Sequence, residues 1–353
     1  MSAEPAAPAA PARLRLTGPS DLAVCVPYLL GFVPRDSVVV AALDARREVA
    51  LVARVDLPPA AVPSTWRAAA SAIGSQIGAA VLRSGGVCVV PLLYPEGAAP
   101  DLVALDDPWR EFARWLDDAF AGRGIDVLDA LLVADGRWWS LMCTDPTCCP
   151  EDGTVLPPSG TSEAEVRAIA AGLAVLPDRA DVAAALAPAP LAQRREVEAA
   201  VERLRSGGLD QAAGLESVDR ALAQFLDPRA VLTPEGAAEL LVAVDDVLVR
   251  DAVSWCGSPE SSAAAVALWS HLVRLAPRRW LPGVAVLLGV AAYQEGAGVL
   301  ARVAVELVLD VDPDHVLASR IASALSMGVP PREAAAIVRA GAEEARERIG
   351  QMP

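Results

Sequence analysis

The sequence lacks two residue types altogether: neither lysine nor asparagine occurs among its 353 residues, so all 30 basic side chains are arginine. Without lysine the chain has no P-loop lysine, no Schiff-base amine for pyridoxal phosphate and no kinase β3 lysine. Without asparagine it has no third member for a papain-like triad and no acceptor for N-glycosylation. Several common classes of enzyme are therefore excluded.

Histidine is nearly absent, since only His271 and His315 occur and both lie in the C-terminal half. The N-terminal half has no imidazole for acid–base catalysis or metal binding, so a Ser–His–Asp hydrolase would need a histidine from the other half. In helical sequence the two histidines are more typical of partly buried or capping groups than of ligands. Aromatic residues make up only 4%, which predicts a core of leucine, valine and alanine.

The chain also lacks a basic stripe and a long apolar run. Its net charge of −15 repels phosphate backbones, and we expect no binding to nucleic acid. The most apolar run, Leu281–Ala292, is too short for a membrane span and contains Pro282, so we expect no membrane insertion. No signal peptide is recognisable at residues 2–12, and six cysteines in so long a chain do not form a disulfide scaffold. These features favour the cytoplasm.

The order of the predicted elements indicates two domains after an Ala/Pro-rich segment, residues 1–12, that we expect to be disordered. Residues 13–158 read α-β-β-α-β-α-β-β, which predicts an α/β domain with a layered sheet and antiparallel hairpins at its start and end. Residues 161–347 predict an all-α domain of helical hairpins, with tetratricopeptide-like spacing near 255–330. Helical tails of this kind often present a surface to a protein partner.

Within the α/β domain, individual boundaries follow from apolar periodicity and from turn and cap signals. We predict an edge position or bulge at Pro91, a tight hairpin at Asp135-Gly136, an N-cap at Ser20 and a capping box of Ser162 and Glu165. The predicted helices are Asp21–Leu30, Thr65–Arg83 and Pro108–Ala121, and the predicted strands are Ser37–Leu43, Val49–Leu57, Val87–Leu93, Val127–Ala134 and Arg137–Cys143.

The segment Cys143–Pro150, here called the Cys loop, places Cys143, Cys148, Cys149 and Asp145 within seven residues. Thiolates at short spacing suit zinc, with the fourth ligand supplied by Asp145, another cysteine, a distant histidine or water. However, the loop lacks a C-x2-C knuckle and no second cysteine pair follows it. The spacing therefore favours structural thiols packed under the loop. A zinc site on the three cysteines and a redox or nucleophilic role are the alternatives.

Four further residues are candidates for ligand binding. Trp138 and Trp139 are adjacent on one strand, so one indole is expected in the core while the other packs or lines a ligand cleft. Arg54 and Asp56 lie two apart on one strand face, where they either form a structural ion pair or flank a pocket. Packing and the ion pair are the favoured interpretations.

Three segments resemble an actinobacterial family that is known only as a domain of unknown function. They are Pro27–Phe32 (PYLLGF), Arg54–Pro58 (RVDLP) and Trp138–Pro150 (WWSLMCTDPTCCP). The stretch from Arg250 to Pro313 is similar to the usual C-terminal part of that family. The resemblance implies an actinobacterial cytoplasmic protein and supplies no catalytic residues.

The sequence thus predicts a non-enzymatic binding, adaptor or regulatory protein that contacts a protein partner through its helical tail. The alternative is a small-molecule-binding enzyme or sensor in the α/β domain. That alternative would use thiol, carboxylate or metal chemistry at the Cys loop, because histidine and lysine are missing there.

Overall fold

The structure is a computed structural model that describes residues 18–58, 65–96, 108–170, 175–205, 210–327 and 329–351. Contacts between residues divide the chain into two compact units. The described residues up to Arg179 belong to the first, the α/β unit, and Ala180–Ser326 with the residues from Pro331 onward form the second, the helical unit. The predicted disordered segment 1–12 lies outside the described residues.

The α/β unit contains a mixed sheet of seven strands flanked by helices, which confirms the predicted fold class. Its elements in chain order are α1 (Pro19–Leu30), β1 (Ser37–Leu43), β2 (Val49–Asp56), α2 (Trp66–Ser84), β3 (Cys88–Tyr94), α3 (Pro108–Ala121), β4 (Asp126–Val127), β5 (Leu131–Ala134), β6 (Arg137–Ser140), β7 (Thr154–Val155) and α4 (Glu163–Ala170).

The strand order across the sheet is β2-β1-β3-β5-β6-β7, and β4 also pairs with β3. Pairing is antiparallel except for β3 with β4 and β3 with β5. Side chains alternate along β1: Val38 and Val40 pack in one core with residues of α2 and α3, whereas Val39 packs in another with residues of α1. The sheet is therefore covered on both faces, which is why β1 is buried along its whole length and apolar from Val38 to Leu43.

The predicted bounds of β1 and the predicted tight turn at Asp135-Gly136 are both correct. Strand β1 has the predicted bounds, and Asp135 and Gly136 have φ values of 49° and 72° between β5 and β6. Positive φ at both central positions is the geometry of a type I′ turn. By contrast, the predicted strand Val127–Ala134 is wrong, because it breaks into β4 and β5 at Leu128–Ala130, where the partly buried Asp129 binds loop groups.

The edge position predicted for Pro91 is also wrong, since β3 is an interior strand. Pro91 pairs with Val40 of β1 on one side. On the other side, β4 pairs with Cys88 and Val89, and β5 pairs with Leu92 and Leu93. The proline therefore lies between two short parallel partners, where a missing backbone N–H costs little.

The predicted caps of the α/β unit differ from the observed ones. The N-cap of α1 is Gly18, and the Ser20 hydroxyl instead accepts a hydrogen bond from Trp138 Nε1 at 2.9 Å. The capping box is wrong because the Ser162 hydroxyl is buried without a hydrogen-bond partner. The buried carboxylate of Glu165 accepts hydrogen bonds from the Tyr28 hydroxyl at 2.6 Å and from Gly160 N at 2.6 Å, which ties α4 to α1.

The helical unit contains α5 (Arg179–Ala185, which begins at the boundary), α6 (Leu191–Arg205), α7 (Gln211–Gln224), α8 (Pro234–Asp245), α9 (Val247–Ala252), α10 (Pro259–Leu275), a 3-10 turn (Arg278–Trp280), α11 (Leu281–Glu295), α12 (Gly298–Leu309), α13 (Val316–Ser326) and α14 (Pro331–Gly350). Thr233 caps α8, and its hydroxyl accepts a hydrogen bond from Gly236 N. Gly289 of α11 lies so close to Val305 of α12 that an added Cβ would be 3.2 Å away. Among the described residues, no helix has the length and apolar character to cross a membrane.

Candidate metal centre

The Cys loop brings three sulfur atoms together. The Sγ atoms of Cys143, Cys148 and Cys149, here called the thiol cluster, all lie within 4.8 Å of one another. Cys148 is exposed to solvent, and the other two are partly buried. Within the described part of the chain, no histidine or carboxylate atom joins the cluster at that distance. The adjacent cysteines thus converge, which their spacing alone argued against.

The first thiol is positioned by the end of β6. The Ser140 hydroxyl donates to Asp129 Oδ1 at 2.6 Å and accepts from Cys143 N at 2.9 Å. Burial raises the pKa of Asp129, although hydrogen bonds from Ser140, Ala130 and Met142 act in the opposite direction. The strand was predicted to continue to Cys143, but it stops at Ser140 because this side chain turns the backbone into the loop.

Arg110 of α3 holds the same backbone from the other side. Its Nη1 donates to Leu141 O at 3.0 Å and to Cys143 O at 3.3 Å. The guanidinium charge of Arg110 also acts to lower the pKa of Asp129, against the larger effect of burial. A positive charge is thereby fixed beside the loop that carries the thiols.

A turn at Asp145 brings the second and third thiols back to the first. Asp145 O accepts hydrogen bonds from Cys148 N at 3.1 Å and Cys149 N at 2.8 Å. The carboxylate of Asp145 accepts from both the backbone N and the hydroxyl of Thr147, and these bonds lower its pKa. Asp145 therefore organises the turn and is not part of the thiol cluster.

Trp139 binds the segment that returns from the Cys loop to β6, residues 151–155, which ends in β7. Its Nε1 donates to Glu151 O at 3.1 Å. Gly153 has a φ of 75°, and a Cβ added there would lie 2.6 Å from Trp139 Nε1, so only glycine fits without rearrangement. Arg137 Nη1 donates to the carbonyls of Asp152 and Gly153 at 3.1 Å each. The loop is thus held at both ends.

The surroundings of Cys149 disfavour its thiolate. Burial, together with hydrogen bonds to Cys143 and Cys148, raises the pKa of Cys149 to about 12. Such a thiol is a poor nucleophile at neutral pH unless a cation displaces its proton. Cys25 and Cys88 are buried elsewhere in the unit and do not join the cluster; burial raises the pKa of Cys25 to about 11.

The remaining sequence-predicted residues lie apart from the thiol cluster or are occupied in packing. Arg54 pairs with Asp56 as expected, and its Nε donates to Ser37 Oγ at 2.8 Å. These residues are on β2, with β1, β3 and β5 between them and β6. Trp138 and Trp139 point to opposite faces of the sheet, as expected: Trp139 is buried in one core, and Trp138 is partly buried against the other. Both indole N–H groups donate hydrogen bonds.

The supporting residues around the cluster, namely Arg110, Asp129, Ser140 and Gly153, were not identified from the sequence. One signal was present, because Asp129 interrupts an apolar stretch that otherwise has the composition of a buried strand. A charged residue at such a position needs partners to compensate for its burial. Those partners come from separate elements, so spacing along the chain could not reveal them.

A mixed α/β sheet unit with a three-thiol loop, followed by a helical unit, is the class of protein that this fold and site define. The chain matches the family described as Domain of unknown function (DUF4192) over residues 19–332, and it belongs to that family. Neither the curated proteins nor the solved structures contain a match to it.

Proposed function

We propose that this protein is a non-enzymatic, metal-dependent binding protein whose α/β unit holds one zinc ion on Cys143, Cys148 and Cys149. The convergence of their three sulfur atoms within 4.8 Å carries the proposal. Tetrahedral zinc with Zn–S bonds of about 2.3 Å places its sulfur ligands about 3.8 Å apart. Small side-chain movements within the loop would therefore produce the required geometry.

Zinc is favoured by the chemistry of the ligands. Soft thiolates select zinc or copper(I), whereas calcium and magnesium require oxygen ligands. All six cysteines are free, which supports a reducing compartment, and we propose the cytoplasm as the location. The loop is already held by Ser140 and Arg110, so little conformational freedom would be lost on binding.

The same unit offers little for acid–base catalysis. Residues 18–179 contain no histidine or lysine. The carboxylates of Asp129 and Asp145 accept hydrogen bonds from Ser140 and Thr147, respectively. This arrangement supports a binding or regulatory role over a hydrolytic one.

We further propose that the helical unit contacts a protein partner. The close approach of Gly289 to Val305 supports this, because helix pairs packed in this way form the surfaces of helical-repeat binding proteins. Cross-linking of the full chain in its native extract, followed by mapping of the linked peptides, tests it. Links from α10–α12 to one other protein are expected, and links within the chain alone would contradict the proposal.

Elemental analysis of the full chain purified without chelator tests the zinc site. We expect about one zinc per chain in the wild type and almost none in Cys148→Ser, because two thiolates bind zinc far more weakly than three. Cys256→Ser is the matched control, since Cys256 lies in the helical unit and outside the thiol cluster. Equal loading of all three proteins, or sub-stoichiometric zinc in the wild type, would contradict the proposal.

A further inference from the structure

The thiol cluster provides three ligands, whereas zinc in proteins takes four. Among the residues that the structure describes, no other cysteine, histidine or carboxylate atom lies within 4.8 Å of all three sulfurs. Structural zinc sites are closed by four protein ligands, and sites that act on an external molecule keep one position open. The composition of the cluster matches the second kind.

The acidic side chain within the Cys loop, that of Asp145, is already engaged in hydrogen bonds. Asp145 Oδ1 accepts from Thr147 N at 2.9 Å and from Thr147 Oγ1 at 2.7 Å. Using Oδ1 as a metal ligand would compete with these two hydrogen bonds from Thr147. The backbone carbonyl of the same residue accepts from Cys148 N and Cys149 N, so Asp145 serves the turn that positions the thiols.

One member of the thiol cluster is exposed to solvent. Cys148 is exposed, so a small molecule can reach a metal ion held by the three sulfurs. Three thiolates give a zinc complex a net negative charge, which would oppose another anion. Arg110, bonded to the carbonyls of Leu141 and Cys143, places a positive charge beside the site that offsets this repulsion.

Resting on the zinc site proposed above, we propose that its fourth position binds an external small-molecule thiol as a thiolate. The thiol gives its proton to solvent water, and its sulfur forms a bond to the metal as a bound water molecule leaves. No electron is transferred, and the three cysteines remain thiolates. A soft thiolate matches the other three ligands better than water or a carboxylate does. The Cys loop would then respond to the thiol content of its surroundings.

The test uses cobalt(II), whose visible absorption reports how many sulfur ligands surround it. The full chain is loaded with cobalt, freed of excess metal and titrated with 2-mercaptoethanol. Ethylene glycol, in which oxygen replaces sulfur, is the matched control, and a parallel titration uses imidazole. Cobalt content is measured again after each titration.

We expect one cobalt per chain and a saturable shift of the visible band toward a four-sulfur spectrum with 2-mercaptoethanol only. A four-sulfur spectrum before any addition, an unchanged spectrum, loss of cobalt to the thiol, or an equal response to imidazole would overturn the inference while leaving the metal site in place. Failure to bind cobalt or zinc at all would overturn the proposed function as well.

Discussion

The two ends of the sheet in the α/β unit use reactive residues in opposite ways. At the β2 end, Arg54 and Asp56 form an ion pair, and Ser37 satisfies a further donor of the arginine. At the β6 end, Cys143, Cys148 and Cys149 lie together, while the surrounding polar groups hold the backbone of the loop. At the β2 end the charged side chains bind each other. At the β6 end three sulfur atoms lie close enough together to share one ligand.

This difference distinguishes side chains that could bind a ligand from side chains that only stabilise the fold. Both ends contain residues that attract attention in the sequence. At the β6 end, a second set of residues holds the loop backbone through hydrogen bonds: Arg110, Asp129 and Ser140. The thiols are therefore not needed to hold the loop and can bind a ligand. Supporting shells of this kind orient ligands and tune a bound metal.

Replacing Gly153 gives the largest expected effect on the β6 end. Gly153→Ala would force a side chain at φ 75° against the ring of Trp139. We expect a loss of about 2–4 kcal/mol in the free energy of unfolding, from strain plus overpacking. Urea denaturation measures it.

Gly160→Ala is the matched control for that change. Gly160 has a φ of 80° but nothing within 4 Å of an added Cβ, so backbone strain alone should cost about 1 kcal/mol. Similar losses for the two variants would show that the packing of Trp139 does not fix the return of the loop.

A smaller effect, specific to metal binding, is expected from replacing Ser140 at the β6 end. Ser140→Ala removes the acceptor for Cys143 N and the donor to Asp129. We expect zinc affinity to fall about 10–100-fold, as for other residues that hold metal ligands in place. A competitive titration against a chromophoric chelator measures the affinity.

Ser37→Ala provides the comparison at the β2 end, because Ser37 is equally buried and accepts from Arg54. Its loss should cost about 1–3 kcal/mol of stability as an unpaired donor is left behind, with zinc affinity unchanged. If both variants lowered the zinc affinity equally, the contrast between the two ends would be refuted.

The smallest expected effect concerns the partly buried carboxyl of Asp129. Because burial raises its pKa, the folded protein holds this proton to a higher pH than the unfolded chain does. The stability that this carboxyl contributes is complete below its unfolded pKa of about 3.9 and is lost as pH rises through the folded pKa.

Asp129→Asn cannot ionise, so its stability relative to the wild type should increase as pH rises through that window. The effect should be smaller than that of Ser140→Ala, because an amide oxygen can still accept from Ser140. Urea midpoints at a series of pH values would show it. Parallel pH curves for the two proteins would contradict the expected sign.

Local patterns predicted much of the fold. The bounds of β1 and α3 and the Asp135-Gly136 hairpin follow from apolar periodicity and from turn chemistry. The predictions that failed depend on partners far along the chain. Pro91 is tolerated in an interior strand because it lies between the end of β4 and the start of β5, and Ser20 binds Trp138 instead of capping α1.

The Cys loop shows the same limit at the candidate site. The sequence identified its three cysteines and Asp145, but their spacing argued against a shared ligand set. The structure brings the sulfurs together because the turn at Asp145 reverses the chain, while Ser140 and Arg110 fix where it starts. Neither Arg110 nor Asp129 is close to the cysteines in sequence.

The sequence by itself determined the alternation of strands and helices, the absence of lysine and of N-terminal imidazole, and the presence of a thiol-rich loop. These properties follow from composition and short-range periodicity, which act within a few residues of the backbone. Only the tertiary structure decided that the three thiols converge while Arg54 and Asp56 pair with each other. Convergence depends on hydrogen bonds between β6, α3 and the returning strand, and such contacts exist only once the sheet has assembled.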